Sequence, residues 1–346
     1  VKSDKAEVTD LIEVKNLTKY YGDKLAVDNI SFTVKEGEIL GFLGPNGAGK
    51  STTMNMLTGY LSASSGEIRI NGMDMVENPM EAKKCIGYLP EIPPLYMDMT
   101  VDEYLRFMYR LKKVSCGGTR EEHITGICQQ VRITEVRKRL IRNLSKGYKQ
   151  RVGIAQAMIG DPKILILDEP TVGLDPNQMI EIRALIRKLG KKHTVILSSH
   201  ILPEIQAVCG RIIIINEGRL AADDTEENLS RKLGTSEDRK GNGSRQGSFR
   251  LLVEGPRQEV TESLRTINGV RDVSFERSVE DNVFSYLLET DGKTPVRRAV
   301  YDCVAGHGWR LLGLESREMK LEDIFIKLTA ANYRENQSGK EKGERK

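Results

Sequence analysis

One run of nine residues limits more than any other what this chain can fold into: Gly44-Pro45-Asn46-Gly47-Ala48-Gly49-Lys50-Ser51-Thr52. It follows a strand-like stretch, EILGFL, and precedes a helix-like one, STTMNMLTGYL. The spacing G-x-x-x-x-G-K-[ST] between a strand and a helix is that of a phosphate-binding loop. Its glycines let backbone N–H groups converge on phosphate oxygens, and the helix N-terminus adds the positive end of its dipole. Lys50 is then placed to reach β- and γ-phosphates, and the Ser51 hydroxyl to ligate Mg²⁺. A chance glycine-rich turn would have no reason to sit between those two elements.

A second motif, Lys163-Ile-Leu-Ile-Leu-Asp-Glu-Pro170, reads as a buried strand ending in two carboxylates. Alone it is a strand followed by an acidic cap, common in α/β proteins. Downstream of a phosphate loop, Asp168 is placed to hold the Mg²⁺ shell and Glu169 to polarise an attacking water.

The 346 residues suggest two domains. Residues 11–40 read as short strands broken at Tyr21-Gly22-Asp23 and Glu36-Gly37. A helical region covers about 93–160; in it Val101, Tyr104, Leu105, Met108 and Leu111 share one helix face, with Lys112 and Lys113 at its end. Alternating strands and helices continue to about residue 225, which predicts α/β with a largely parallel sheet. Residues 226–247 are expected to form a flexible linker. From 248 to 332 the order β-α-β-β-α-β predicts a ferredoxin-like α+β domain, closed by LEDIFIKLTAAN. The charged tail 333–346 is expected to be disordered.

Composition excludes several classes. Fifty-three Lys and Arg against 49 Asp and Glu leave +4, too little to argue for nucleic acid. Five scattered cysteines without a C-x-x-C pair argue against a disulfide framework or zinc site and fit a reducing cytosol. No apolar stretch approaches the roughly 18 residues that span a bilayer, so any work at a membrane needs a spanning partner.

Between the two motifs lies Leu144-Ser-Lys-Gly-Tyr-Lys-Gln-Arg151, and after them Gly173-Leu-Asp-Pro176 and Ser198-Ser-His200. This ordered set, over roughly residues 10–225, resembles the nucleotide-binding domain of ABC transporters. The resemblance implies an ATPase in which two domains pack head to tail over two ATP molecules. Ser145 and Gly147 would then approach the γ-phosphate on the partner subunit, and Asp175 would lie at the dimer seam. His200 would contact the γ-phosphate and fix the water with Glu169, while Tyr21 would stack on adenine, with neighbouring Tyr20 a competitor for that place.

Two departures from the family pattern stand out. The signature is L-S-K-G-Y rather than L-S-G-G-Q, with Lys146 and Tyr148 substituted. The position that is usually a glutamine linking Mg²⁺ to the permease is Glu91, whose carboxylate can ligate the metal but cannot donate like an amide. With the appendage ending in LEDIFIKLT, these features resemble the gliding-motility, multidrug and antibiotic-resistance exporter branch. The branch implies a separate membrane permease, docked near residues 91–110, where Met97, Met99, Tyr104 and Met108 are either its contacts or subdomain core. ATP and Mg²⁺ are the implied ligands, and a homodimer on the cytoplasmic inner face of the membrane the implied assembly. The alternatives are an importer ATPase and a soluble, non-transport ABC protein. For the C-terminal domain, dimer support, permease docking and small-molecule binding all stay open.

Overall fold

The computed structural model describes residues 10–114, 117–233, 248–291, 294–317 and 325. The chain divides between Glu226 and Glu227 into two compact units. The first opens with strands β1 (Asp10–Tyr21), β2 (Lys24–Lys35) and β3 (Ile39–Leu43), then α1 (Lys50–Leu57), β4 (Ser65–Ile70), β5 (Met73–Asp74), α2 (Pro79–Lys84) and β6 (Ile86–Leu89). Three helices follow: α3 (Val101–Leu111), α4 (Arg120–Gln130) and α5 (Lys146–Met158). The chain then alternates through β7 (Ile164–Asp168), α6 (Pro176–Leu189), β8 (Thr194–Ser199), α7 (Leu202–Val208), β9 (Arg211–Asn216) and β10 (Arg219–Asp224).

The central sheet has the order β10-β9-β3-β8-β7-β6, parallel throughout except for β10 against β9. Strands β7 and β8 are buried at every position, as strands covered on both faces must be. A second, antiparallel sheet, β2-β1-β4-β5, carries the amino-terminal segments. Instead of the short strands expected for residues 11–40, β1 and β2 each run 12 residues. Asn16 and Asn29 adopt left-handed φ values of 49° and 48° where the register shifts, so they bend the strands rather than end them.

Helices α3 and α4 both begin with capping boxes, Thr100 with Glu103 and Thr119 with Glu122. Of the apolar face expected on α3, Val101, Tyr104 and Leu105 are buried and Met108 is half-buried, but Leu111 is 60% exposed. Tyr104 is core, 1% exposed, and so is no contact for a partner. Lys112 turns inward in place of Leu111. Its ammonium donates to the carbonyls of Gln156 (3.1 Å), Ala157 (3.3 Å) and Ile159 (3.0 Å), at and just beyond the end of α5. Desolvation pushes its pKa down to about 8, so the charge persists at neutral pH and serves the negative end of α5 rather than that of its own helix.

Helix α8 (Glu226–Leu233) occupies the start of the stretch expected to be a flexible linker, where Glu and Leu at helical spacing outweigh the polar composition; residues 234–247 lie outside the described residues. The second unit contains β11 (Ser248–Glu254), α9 (Arg257–Arg265), β12 (Val270–Glu280), β13 (Val283–Thr290), α10 (Val296–Gly306) and β14 (Arg310–Arg317). Its antiparallel sheet has the order β12-β13-β11-β14, and Leu251, Val260, Tyr286 and Val300 are among its core. Phe325 apart, the closing LEDIFIKLTAAN segment and the tail lie outside the described residues.

Replacing Lys112 with Met leaves up to two carbonyls, those of Ala157 and Ile159, unpaired near the end of α5, since Gln156 O keeps the Ile159 N–H. We expect a loss of about 2–4 kcal/mol in unfolding free energy, read by urea denaturation of the Lys112→Met protein.

Candidate functional site

The site gathers at the carboxyl ends of the parallel strands, where open α/β sheets bind ligands. After β3 the chain turns through Gly44–Gly49 into α1. Gly49 has φ 103°, and a Cβ there would lie 2.6 Å from the carbonyl oxygen of Ala26, so only glycine fits. Among the described residues no side chain caps α1, which leaves its first N–H groups to face an anion. Lys50 opens the helix and is buried. Its Nζ donates to the carbonyls of Gly44 (2.8 Å) and Pro45 (3.2 Å) and lies 3.5 Å from Glu169 Oε1.

Asp168 ends β7 and Glu169 follows it directly, and both are buried. Ser198, in β8, opens the Ser198-Ser-His200 motif, but the sequence gives it no role of its own. Its Oγ donates to Asp168 Oδ1 and accepts from the Glu169 backbone N–H at 3.0 Å. Glu169 has φ 48°, a strained conformation for a non-glycine residue, and its N–H also lies 3.2 Å from the Ser198 carbonyl oxygen. His200 Nδ1 is 2.9 Å from Glu169 Oε2. Beneath the loop, Tyr88 donates to Asn55 Oδ1 at 3.0 Å; burial pushes its phenol pKa up, and the charge of Asp168 adds to the shift.

Lys50, Glu169 and His200 border a cleft of about 970 Å³. Tyr21, Asn46, Gly47, Gly49, Lys50, Ser51, Thr52, Glu91, Glu169 and His200 line it. Tyr21 and Tyr20 are equally exposed, but only Tyr21 faces the cleft. Gly44 and Pro45 act through the carbonyls that hold Lys50, Ala48 is buried behind the loop, and Asp168 sits behind the lining. Lys24 and Glu217 join the wall without having been expected, since no motif marks them.

Ser145, Gly147 and Asp175 do not line the cleft. Ser145 caps α5, its Oγ accepting from Tyr148 N at 3.4 Å, and Asp175 caps α6, accepting from Gln178 N at 3.0 Å. Tyr148, the departure from the family glutamine, donates to Glu135 Oε1 at 2.8 Å.

The oxygen donors expected for Mg²⁺ are Ser51, Asp168 and Glu91. Magnesium commonly takes one or two carboxylates with substrate phosphates rather than an all-protein cage, and this hard-oxygen set beside an anion loop fits that chemistry. Cys85, Cys128, Cys209 and Cys303 are free thiols.

Comparison with known proteins places the chain in a family. The family model for ABC transporters matches residues 27–172. The linearmycin resistance ATP-binding protein LnrL of Bacillus subtilis (strain 168) is 32% identical over 326 residues, covering 94% of this chain and 100% of its own length. The bacitracin transport ATP-binding protein BcrA of Bacillus licheniformis is 38% identical over 65% of this chain and 73% of its own length. Among solved structures, an ATP-binding subunit of an ABC transporter shares 31% identity at a TM-score of 0.58, over 65% of this chain and 93% of that one. A dimeric bacterial ABC transporter cassette shares 27% identity at 0.57, over 62% of this chain and 98% of that one. The chain belongs to the ATP-binding proteins of ABC transporters. It is a nucleotide-binding, ATP-hydrolysing cassette.

Lys50→Ala removes a charge-assisted contact worth about 1.5–3 kcal/mol, so ATP affinity is expected to fall roughly ten- to hundredfold. Titration with a fluorescent ATP analogue measures it; unchanged affinity would overturn the role given to Lys50.

Proposed function

We propose that this chain is the ATPase subunit of an exporter, pairing head to tail with a second copy on binding ATP and driving a separate permease at the cytoplasmic face of the membrane. The observation that carries this is the division of the motifs. Lys50, Glu169 and His200 meet in one cleft, while Ser145 and Gly147 stand at the start of α5, outside it. A second copy supplying the α5 N-terminus would add N–H groups and a helix dipole opposite Lys50. Export as the direction rests on the printed roles of the relatives, linearmycin resistance and bacitracin transport.

In the proposed reaction water attacks the γ-phosphorus in line with the leaving diphosphate. Glu169 takes the water's proton, His200 holds the Glu169 carboxylate, and Lys50 with the partner's α5 offsets the charge on the transferring group. Ser51, Asp168 and Glu91 would hold Mg²⁺, which when bound neutralises phosphate charge. Met97 is 44% exposed and Ile92 83% exposed beside Glu91, and such apolar side chains suit a permease helix. Among the described residues no helix is long and apolar enough to cross a membrane, which leaves the spanning part to the permease.

For residues 248–332 we favour a ferredoxin-like domain that supports the dimer or docks the permease. Its β-α-β-β-α-β order and the β12-β13-β11-β14 sheet support that assignment. The cassette would span 10–225.

Glu169→Gln is expected to bind ATP normally and to lose turnover by about 10²-fold or more. With excess ATP, light scattering on this variant should show a dimer that is absent without nucleotide. A monomer under both conditions would overturn the homodimer, and hydrolysis at the wild-type rate would remove Glu169 from the base role.

A further inference from the structure

Helix α7 carries a buried carboxylate that no step above uses. Glu204 is 3% exposed. Its Oε2 accepts two hydrogen bonds, from Thr171 Oγ1 at 2.6 Å and from Ser199 Oγ at 2.8 Å. Its Oε1 is buried and has no hydrogen-bond partner among the described residues. A carboxylate held in the interior with one oxygen unpaired is costly, and an apolar residue would pack there more easily. What Glu204 offers that an apolar side chain cannot is one acceptor shared by two hydroxyls.

Those hydroxyls belong to two separate segments, and both lead to the reactive groups. Thr171 lies two residues after Glu169, in the turn leaving β7. Ser199 ends β8 immediately before His200, and its Oγ also accepts from Ile201 N at 3.0 Å, closing the turn around His200. Across the gap between the turns, the Glu169 carboxylate meets His200 Nδ1 at 2.9 Å. Glu169 stands at φ 48°, a conformation that persists only where its surroundings over-determine it.

We propose that Glu204 is a positioning residue, tying the turn after Glu169 to the turn that carries His200 and so holding carboxylate and imidazole at their working distance. This rests on the assignment of Glu169 and His200 to hydrolysis. Glu204 touches neither of them; it acts through Thr171 and Ser199. A purely structural role would lower stability and leave the per-site chemistry of the folded protein alone. A positioning role shows in turnover, and only while His200 is present to be positioned.

The test is steady-state ATPase kinetics on the purified full chain. It compares wild type, Glu204→Met, Glu204→Gln, His200→Ala and the Glu204→Met/His200→Ala double variant. Glu204→Met, which removes the acceptor at similar size, should lower kcat at least about tenfold and leave KM within about threefold. Glu204→Gln, which keeps one acceptor oxygen, should recover at least about threefold of that loss. In the His200→Ala background Glu204→Met should cost less than about twofold more, because the two side chains act as one unit. Thr171→Val, a milder change that leaves α7 intact, should lower kcat by about threefold or more with the same dependence on His200, and stands in should Glu204→Met fail to fold. Additive losses, or wild-type kcat in both Glu204→Met and Thr171→Val, would overturn the proposal while the roles of Glu169 and His200 stand. Wild-type turnover in His200→Ala would overturn both together.

Discussion

Parallel pairing of β3, β8 and β7 is the constraint on which the rest of the site depends. The register sets Phe42 beside Ser198 and Ser198 beside Asp168, with Leu43 beside Ser199 one step on. Everything that follows those residues emerges from the same edge of the sheet: the glycine loop after β3, Glu169 after β7, His200 after β8. A one-residue slip would turn each side chain to the opposite face and carry Ser198 away from Asp168, so the chemistry depends on this register. The loop itself can then be mostly backbone, with Gly49 passing against the Ala26 carbonyl.

Charge within this edge is arranged around the buried carboxylate of Glu169. Glu169 lies between Lys50 Nζ and His200 Nδ1, and its backbone N–H faces Ser198. Lys50 is at the same time tethered to the loop carbonyls it would leave to reach a phosphate. A nucleotide entering the cleft therefore exchanges contacts inside a prepared set rather than ordering an empty one, which limits the reorganisation that binding requires. The helical region joins this edge through α5, whose two ends are both secured: Ser145 caps the first turn, and Lys112 meets the carbonyls beyond the last.

Where local sequence and tertiary structure part, the reasons are specific. The strands of residues 11–40 run longer than expected because Asn16 and Asn29 take a left-handed φ at register shifts, which lets a paired strand bend and continue. Leu111 and Lys112 exchanged their expected places because the end of α5 offers carbonyl acceptors that helical periodicity within α3 cannot anticipate. Ser198 had no role beyond opening the Ser198-Ser-His200 motif, and Glu204 had none, because a serine in a strand and a glutamate in a helix carry no local signal; Asp168 lies 30 residues from Ser198 and Thr171 33 residues from Glu204.

The sequence by itself determined the phosphate loop, the paired carboxylates of β7, the family, and the alternation of strands and helices. These are written in contiguous spacings whose chemistry is local: a glycine where backbone must approach an anion, a lysine and hydroxyl at a helix start, apolar runs that must be buried. Only the tertiary structure decided that Tyr21 rather than Tyr20 faces the cleft, that Tyr104 is core, and that Ser145, Gly147 and Asp175 stand outside it. Which of two adjacent side chains faces a ligand, and which distant hydroxyls share one carboxylate, follow from sheet register and helix packing, and those are set by contacts between residues far apart in the chain.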